Sequence, residues 1–344
     1  MCLWTSFSIR DIVIFAPVFK ANQGETLMNG TRKIATVFGG TGFVGRQIVR
    51  MLAAEGYTVK IATRLPERAY FLQPCGRPGQ IVPTLCNYNQ NESIAATIKD
   101  SAFVVNCVGL LFEKKKGAFA QMHTALPAFI AKACADAGVK RFVQISALGV
   151  DKATSRYAKT KLAGEDAVLT NFPHATILRP SVIFGPGDTF FNMFAKLAGV
   201  MPCLPLIGGG KTRFQPVYVG DVATATLAAL TRPDTQGRIY ELGGPEILTF
   251  KEIYARLFSY TQRKRTLVSL PFGIAKIQAT FLGVLPTPPL TRDQVESLKT
   301  DNVVDDKALT LEDLGVTPTA LDTVLPTYLA RYRPGGRFAD RHAA

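Results

Sequence analysis

The stretch from Lys33 to Gly56, KIATVFGGTGFVGRQIVRMLAAEG, leaves few folds open. A short apolar, β-branched run (33–38) leads straight into Gly39, Gly42 and Gly45. A run with apolar residues at helical spacing follows (43–56) and closes on a glycine suited to a C-terminal cap. Strand, glycine turn, helix is the order that a dinucleotide site requires. One glycine makes the tight turn, one lets the backbone approach a pyrophosphate and one lets the helix pack closely, with the helix N-terminus facing the phosphates. Gly39, Thr41, Gly42, Phe43, Val44 and Gly45 are therefore candidate cofactor contacts. A glycine triplet also occurs in purely structural turns, and its place between a strand and a helix is what gives it weight.

The next strand, YTVKIATR (57–64), bears on which dinucleotide is held. A site for NAD(H) usually offers Asp or Glu to the ribose 2′-hydroxyl, whereas arginine accommodates a 2′-phosphate. This strand ends in Arg64 with no acid beside it, and Arg46 directly follows Gly45, so both are expected to reach that phosphate, with Arg68 a further candidate. NADP(H) is favoured and NAD(H) is the alternative.

Strands and helices continue to alternate: SAFVVNCVG (101–109), AFIAKACADAG (128–138), KRFVQIS (140–146), a helix from about Tyr157 to Thr170, then HATILRP (174–180). Alternation of this kind predicts an α/β fold, a doubly wound parallel sheet of Rossmann type covered on both faces. Ligands of such sheets lie beyond the carboxyl ends of the strands, where Asn106, Val108, Gly109 and Ser146 fall. Tyr157 and Lys161 stand four apart on a helix and so share a face. An ammonium near a phenol favours the phenolate, which would let Tyr157 pass a proton to or from a substrate oxygen while Ser146 hydrogen-bonds the same atom. Taken alone, Tyr and Lys at that spacing are surface residues; the nucleotide turn upstream gives them meaning.

GGTGFVG, Ser146, the Tyr-x-x-x-Lys at 157–161, LRPSVIFGPGD (178–188) and PVYVGDVA (216–223) resemble the extended and atypical short-chain dehydrogenase/reductases, the NAD-dependent epimerase/dehydratase group. The resemblance implies catalytic Ser146, Tyr157 and Lys161, cofactor contacts from Tyr157 and Lys161, and a loop with Pro180 and Val182 along the nicotinamide. It also implies a helix-borne Asn that supports the Lys through water. His123, in FAQMHTALP, stands at that position, which departs from the pattern. A narrower resemblance covers most of residues 33–335: SRYAKTKLAGED, LTRDQVESL, LEDLGVTP and YLARYRPGGRF are similar to the Rossmann-fold accessory subunit of respiratory complex I and its bacterial relatives. It implies a tightly held NADP(H) and a membrane-peripheral stabilising or assembly role, with complex I or its assembly intermediates and the membrane surface as partners. The alternative is an active reductase, epimerase or dehydratase on a hydrophobic carbonyl or hydroxyl compound such as a quinone or lipid.

The rest of the chain sets boundaries. The formal charge of +14 points toward an anionic partner, with a solvated basic surface and no partner as the alternative, and because Lys and Arg are scattered rather than blocked, nucleic acid is not expected. Six cysteines without a CxxC pair, and no His cluster at ligand spacing, argue against a metal site or a disulfide framework and fit a reducing compartment. No stretch of about 18 apolar residues runs unbroken, so no spanning helix is expected. The expected location is the cytoplasm, peripheral on the inner membrane, or its matrix side in a eukaryote. The expected organisation is an extension at 1–32, a nucleotide domain at 33–180 with contributions from 214–245, a mixed lobe at 181–335 and a tail at 336–344. In the lobe, Thr249 and Glu252 form a capping-box pattern, while 189–201 and 269–285 read as core packing or as a greasy, membrane-facing surface.

Overall fold

The computed structural model describes residues 33–283, 285 and 288–336; the expected extension at 1–32 and all but the first residue of the tail lie outside the described residues. The glycine turn joins β1 (Ile34–Phe38) to α1 (Phe43–Ala54), as its sequence pattern requires. Ile48, Val49 and Leu52 are fully buried on one face of α1, each worth roughly 2 kcal/mol of burial. The helix stops at Gly56, which takes φ +85°, and the N–H groups of Gly56 and Tyr57 return to Ala53 and Leu52 in a glycine cap.

Five further strands follow: β2 (Thr58–Thr63), β3 (Ile81–Leu85), β4 (Phe103–Asn106), β5 (Arg141–Ile145) and β6 (Thr176–Pro180). Between them run α2 (Asn91–Ile98), α3 (Leu126–Asp136) and α4 (Arg156–Asn171). Beyond β6 come β7 (Ile183–Phe184), α5 (Phe190–Val200), β8 (Cys203–Ile207), β9 (Arg213–Phe214), β10 (Val217–Tyr218), α6 (Val219–Thr231) and β11 (Ile239–Leu242). The chain ends through β12 (Leu248–Thr249), α7 (Phe250–Thr261), β13 (Thr266–Leu270), α8 (Phe272–Leu282), α9 (Arg292–Ser297) and α10 (Leu321–Leu329).

The central sheet has seven parallel strands in the order β3-β2-β1-β4-β5-β6-β11. The order reverses at β1, so the crevice between the ends of β1 and β4 is the topological switch point of a doubly wound sheet. One face of the sheet buries Val37, Ile61, Val105 and Val143 against α1 and α6. The other buries Phe38, Val104 and Phe142 against α2, α3 and α4. A separate aromatic cluster joins Phe191 of α5, Phe250 and Tyr254 of α7 and Tyr328 of α10 in the C-terminal part. A small fourth cluster seats Ala275 and Ala279 of α8 on Ile207 and on Val295 of α9. Among the described residues no helix is long and apolar enough to cross a membrane.

Candidate functional site

The glycine turn has no room for side chains. A Cβ on Gly45 would lie 2.2 Å from the Gly39 carbonyl oxygen, and one on Gly39 would lie 3.0–3.1 Å from the backbone of Cys107 and Val108. Gly39 adopts φ +73°, and the turn is closed by the Gly42 N–H on the Gly39 carbonyl. The loops after β1 and β4 thus touch across the crevice. Gly42 offers no side-chain cap to α1 and no acid occupies its first turn, so the N–H groups of Phe43 and Val44 are left to face an anion. These features fit the pyrophosphate of a dinucleotide.

Asn106 is fully buried and spends its amide inside the protein, donating to Gln144 and accepting from the Val108 N–H. It shapes the turn, which leaves the backbone around Val108 and Gly109 to line the crevice. Gly109 faces Lys161: a Cβ there would sit 3.5 Å from Nζ. Lys161 in turn donates to the carbonyl of Ile145, the residue before Ser146. Burial holds its ammonium down at about 8, opposed by Glu165 one turn on. Glu165 is itself held by Arg179 in a bidentate pair, and Arg179 also reaches Asp151 and Glu241. The ends of α4, β5, β6 and β11 are therefore tied by one charged network under the site.

Tyr157 is half-buried, its ring edge-on to His123 at 5.2 Å and to Phe119 at 6.0 Å. Its phenol is pushed up to about 12, by burial first and by Asp293 second. The expected lowering is not seen, because burial, the larger cause, and the Asp293 charge both raise the phenol. Ser146 is 6% exposed, and its hydroxyl has no hydrogen-bond partner. An orphaned buried hydroxyl carries a desolvation cost that a ligand oxygen would relieve, so this feature also fits a bound nucleotide or substrate.

His123 sits in a π-helical turn, Ala120–Ala125, at the head of α3. Its Nε2 accepts the Leu110 N–H at 2.9 Å and its Nδ1 lies 3.1 Å from the Thr160 hydroxyl, so Nδ1 carries the proton. Burial and Lys161 hold the imidazole down at about 3. Both nitrogens are engaged, which pins the loop after β4 to α4; the His123 carbonyl presses on Gly164, where a Cβ would meet it at 1.8 Å. Only a residue without a side chain fits at 164, so Gly164 lets the two helices approach this closely.

The two arginines do not share one place. Arg64 is exposed at the end of β2, beside the Tyr88 ring. Arg46 bonds back to the Gly42 carbonyl and lies over Phe43, and its guanidinium faces Gly187 in the loop that follows β7. β7 follows β6, on the opposite side of β1 from β2, so the Arg46 and Arg64 guanidinium groups approach the glycine turn from different sides. Pro180 accepts the Leu148 N–H, and the Val182 N–H donates to Asn302.

Sequence reasoning missed the residues that come from the C-terminal part. Asp293, in α9, accepts the N–H groups of Arg156 and Tyr157 at 2.7 and 3.0 Å, capping α4 from outside beside its own Ser155 cap. Asn302 holds Ser181, Val182 and the Leu148 carbonyl together. The strap 291–305 thus fixes the loops that carry the candidate residues. The motif LTRDQVESL pointed to it, but the sequence gives no sign of what it touches.

A family model for the NAD dependent epimerase/dehydratase family matches residues 35–243. The chain belongs to that family. This family member is 37% identical over 332 residues to NADH dehydrogenase (ubiquinone) 1 alpha subcomplex subunit 9, mitochondrial, of Arabidopsis thaliana, which covers 92% of this chain and 82% of that protein. A ceramide reductase of Caulobacter vibrioides is 30% identical over 209 residues, 60% of this chain and 64% of that one. Among solved structures, the triphenylmethane reductase of Citrobacter sp. superposes with a TM-score of 0.70 at 21% identity, covering 86% of this chain and 99% of that one, a likeness of fold.

Proposed function

We propose that this epimerase/dehydratase family member holds NADP(H) as a lasting part of its structure and serves respiratory complex I as a membrane-peripheral stabilising or assembly subunit. What carries the reading is similarity along nearly the whole chain, strap included, to a protein named as a complex I subunit. The arrangement of the site supports it. Both nitrogens of His123 are engaged and Asp293 locks the head of α4, so the loops around the crevice are held in place, as a lasting nucleotide site needs. The nucleotide would lie across the glycine turn, with Arg64 toward the 2′-phosphate, Arg46 toward the pyrophosphate side, and Lys161 and Ser146 near the nicotinamide end. Bound there, it would supply hydride chemistry if a substrate reached it.

The test is genetic and biochemical together. Gly45→Val should abolish nucleotide binding and lower the amount of assembled complex I in the host, whereas Tyr157→Phe should leave both unchanged. A respiratory defect from Tyr157→Phe with nucleotide still bound would sink the structural role.

The orphaned Ser146 hydroxyl and the partial similarity to a ceramide reductase favour one second reading, a reductase of a lipid-like carbonyl. Following absorbance at 340 nm with NADPH and long-chain carbonyl or quinone acceptors separates the two: turnover that Tyr157→Phe removes belongs to an enzyme.

A further inference from the structure

Arg64 is exposed, and among the described residues it has no carboxylate at ion-pair distance; the contact that defines its side chain is the face of Tyr88, 5.8 Å from guanidinium carbon to ring centroid. Tyr88 is itself fixed. Its hydroxyl donates to the Ala62 carbonyl at 2.7 Å, near the end of β2 and two residues before Arg64, and its ring packs on Phe38 with centroids 6.0 Å apart. The loop that carries it is tethered by the Asn87 N–H on the Ser93 hydroxyl and by Gln121 on Asn89. The ring therefore stands between the glycine turn and Arg64, across the carboxyl end of β2. Burial keeps its phenol neutral, pushed up to about 12, so it brings no negative charge to that edge.

We propose that Tyr88 is a positioning residue for 2′-phosphate recognition: its face holds the Arg64 guanidinium at the end of β2 with the N–H edges free, so that discrimination between NADP(H) and NAD(H) belongs to the Tyr88–Arg64 pair. This rests on the reading of the crevice as an NADP(H) site. An arginine in open solvent loses most of its rotamer freedom when it clamps a phosphate; one already laid on an aromatic face loses less, and its planar fork stays available for bidentate contact. Only the phosphate-bearing nucleotide gains from this, because the 2′-hydroxyl of NAD(H) gives the guanidinium no charge to pair with.

Dissociation constants for NADPH and NADH, measured by titration calorimetry on wild type, Tyr88→Phe, Tyr88→Leu, Arg64→Leu and the Tyr88→Leu/Arg64→Leu double variant, test it. Tyr88→Leu is expected to weaken NADPH by about 3–10-fold and leave NADH within about 2-fold. Tyr88→Phe, which keeps the ring and the fold, should retain most of the preference, and the double variant should bind NADPH no more weakly than Arg64→Leu alone. Equal losses for both nucleotides would make Tyr88 a wall for the shared adenosine and overturn the proposal, as would no loss or additive losses. Wild type that binds neither nucleotide, or NADH the more tightly, would defeat the cofactor reading itself, and that is seen in the wild-type arm before any variant is compared.

Discussion

At the scale of single residues the site is a set of groups held away from their ordinary protonation. Lys161 is 6% exposed with an ammonium held down at about 8, while in an unfolded chain it would titrate near 10.4. Between those values the unfolded chain binds a proton that the folded one does not, so stability rises with pH across the window, and below pH 8 the burial cost is present in full. The difference is worth about 3 kcal/mol, less the hydrogen bond to Ile145. Lys161→Met is therefore expected to stabilise the nucleotide-free protein by about 1–3 kcal/mol at pH 7, and the gain should shrink toward pH 10. Urea unfolding at the two pH values checks this, and a variant less stable than wild type at pH 7 would show that the ammonium is better solvated than its burial implies.

At the scale of elements, the candidate site is as stable as the strap that caps it. Two N–H groups at the head of α4 rely on the Asp293 carboxylate, an acceptor from an element 136 residues away in sequence. Asp293→Ala should cost about 1–3 kcal/mol of unfolding free energy and weaken nucleotide binding as α4 frays at Tyr157; Asp293→Asn should restore part of each. A stable Asp293→Ala protein with unchanged affinity would separate the strap from the site. Legibility in the sequence follows the same division. The β1 turn, α1 and its Gly56 cap, β5, α4, β6 and the Thr249–Glu252 capping box were readable because local pattern and fold agree there. Strand β3 was not: Pro83 interrupts IVPTL, and the strand is tolerated because it is an edge, paired on one side with β2. The π turn at His123 and the reach of Asp293 and Asn302 were hidden for another reason. Their partners are set by tertiary contact, and nothing in the neighbouring residues encodes it. The raised phenol of Tyr157 was hidden too, since it comes first from burial and second from the Asp293 charge, both products of tertiary packing.

At the scale of the whole molecule, the charge of +14 is unevenly used. From Ile253 to Arg292 there is no acidic residue, while Arg256, Arg263, Lys264, Arg265, Lys276 and Arg292 are basic. Helix α8 lies in that stretch, with Ala275 and Ala279 seated on the protein and Ile274, Ile277 and Phe281 turned outward at 55%, 61% and 75% exposure. A helix apolar on both sides is unusual on a water-facing surface. Lys276 of α8 is paired with Glu296 of α9, so the excess of bases lies mainly at Arg263, Lys264, Arg265 and Arg292. If the protein is the membrane-peripheral subunit proposed above, an apolar face beside such bases fits the interface of an anionic bilayer. The protein is expected to sediment with vesicles containing phosphatidylglycerol and much less with neutral ones, and to be released as salt shortens the Debye length below about 8 Å. Ile274→Glu with Phe281→Glu should abolish sedimentation while leaving the melting temperature close to that of wild type, because exposed side chains contribute within about 0.5 kcal/mol each. Should the double variant bind vesicles like wild type yet fall out of complex I fractions from the host, α8 faces a protein subunit and the bilayer contact lies elsewhere.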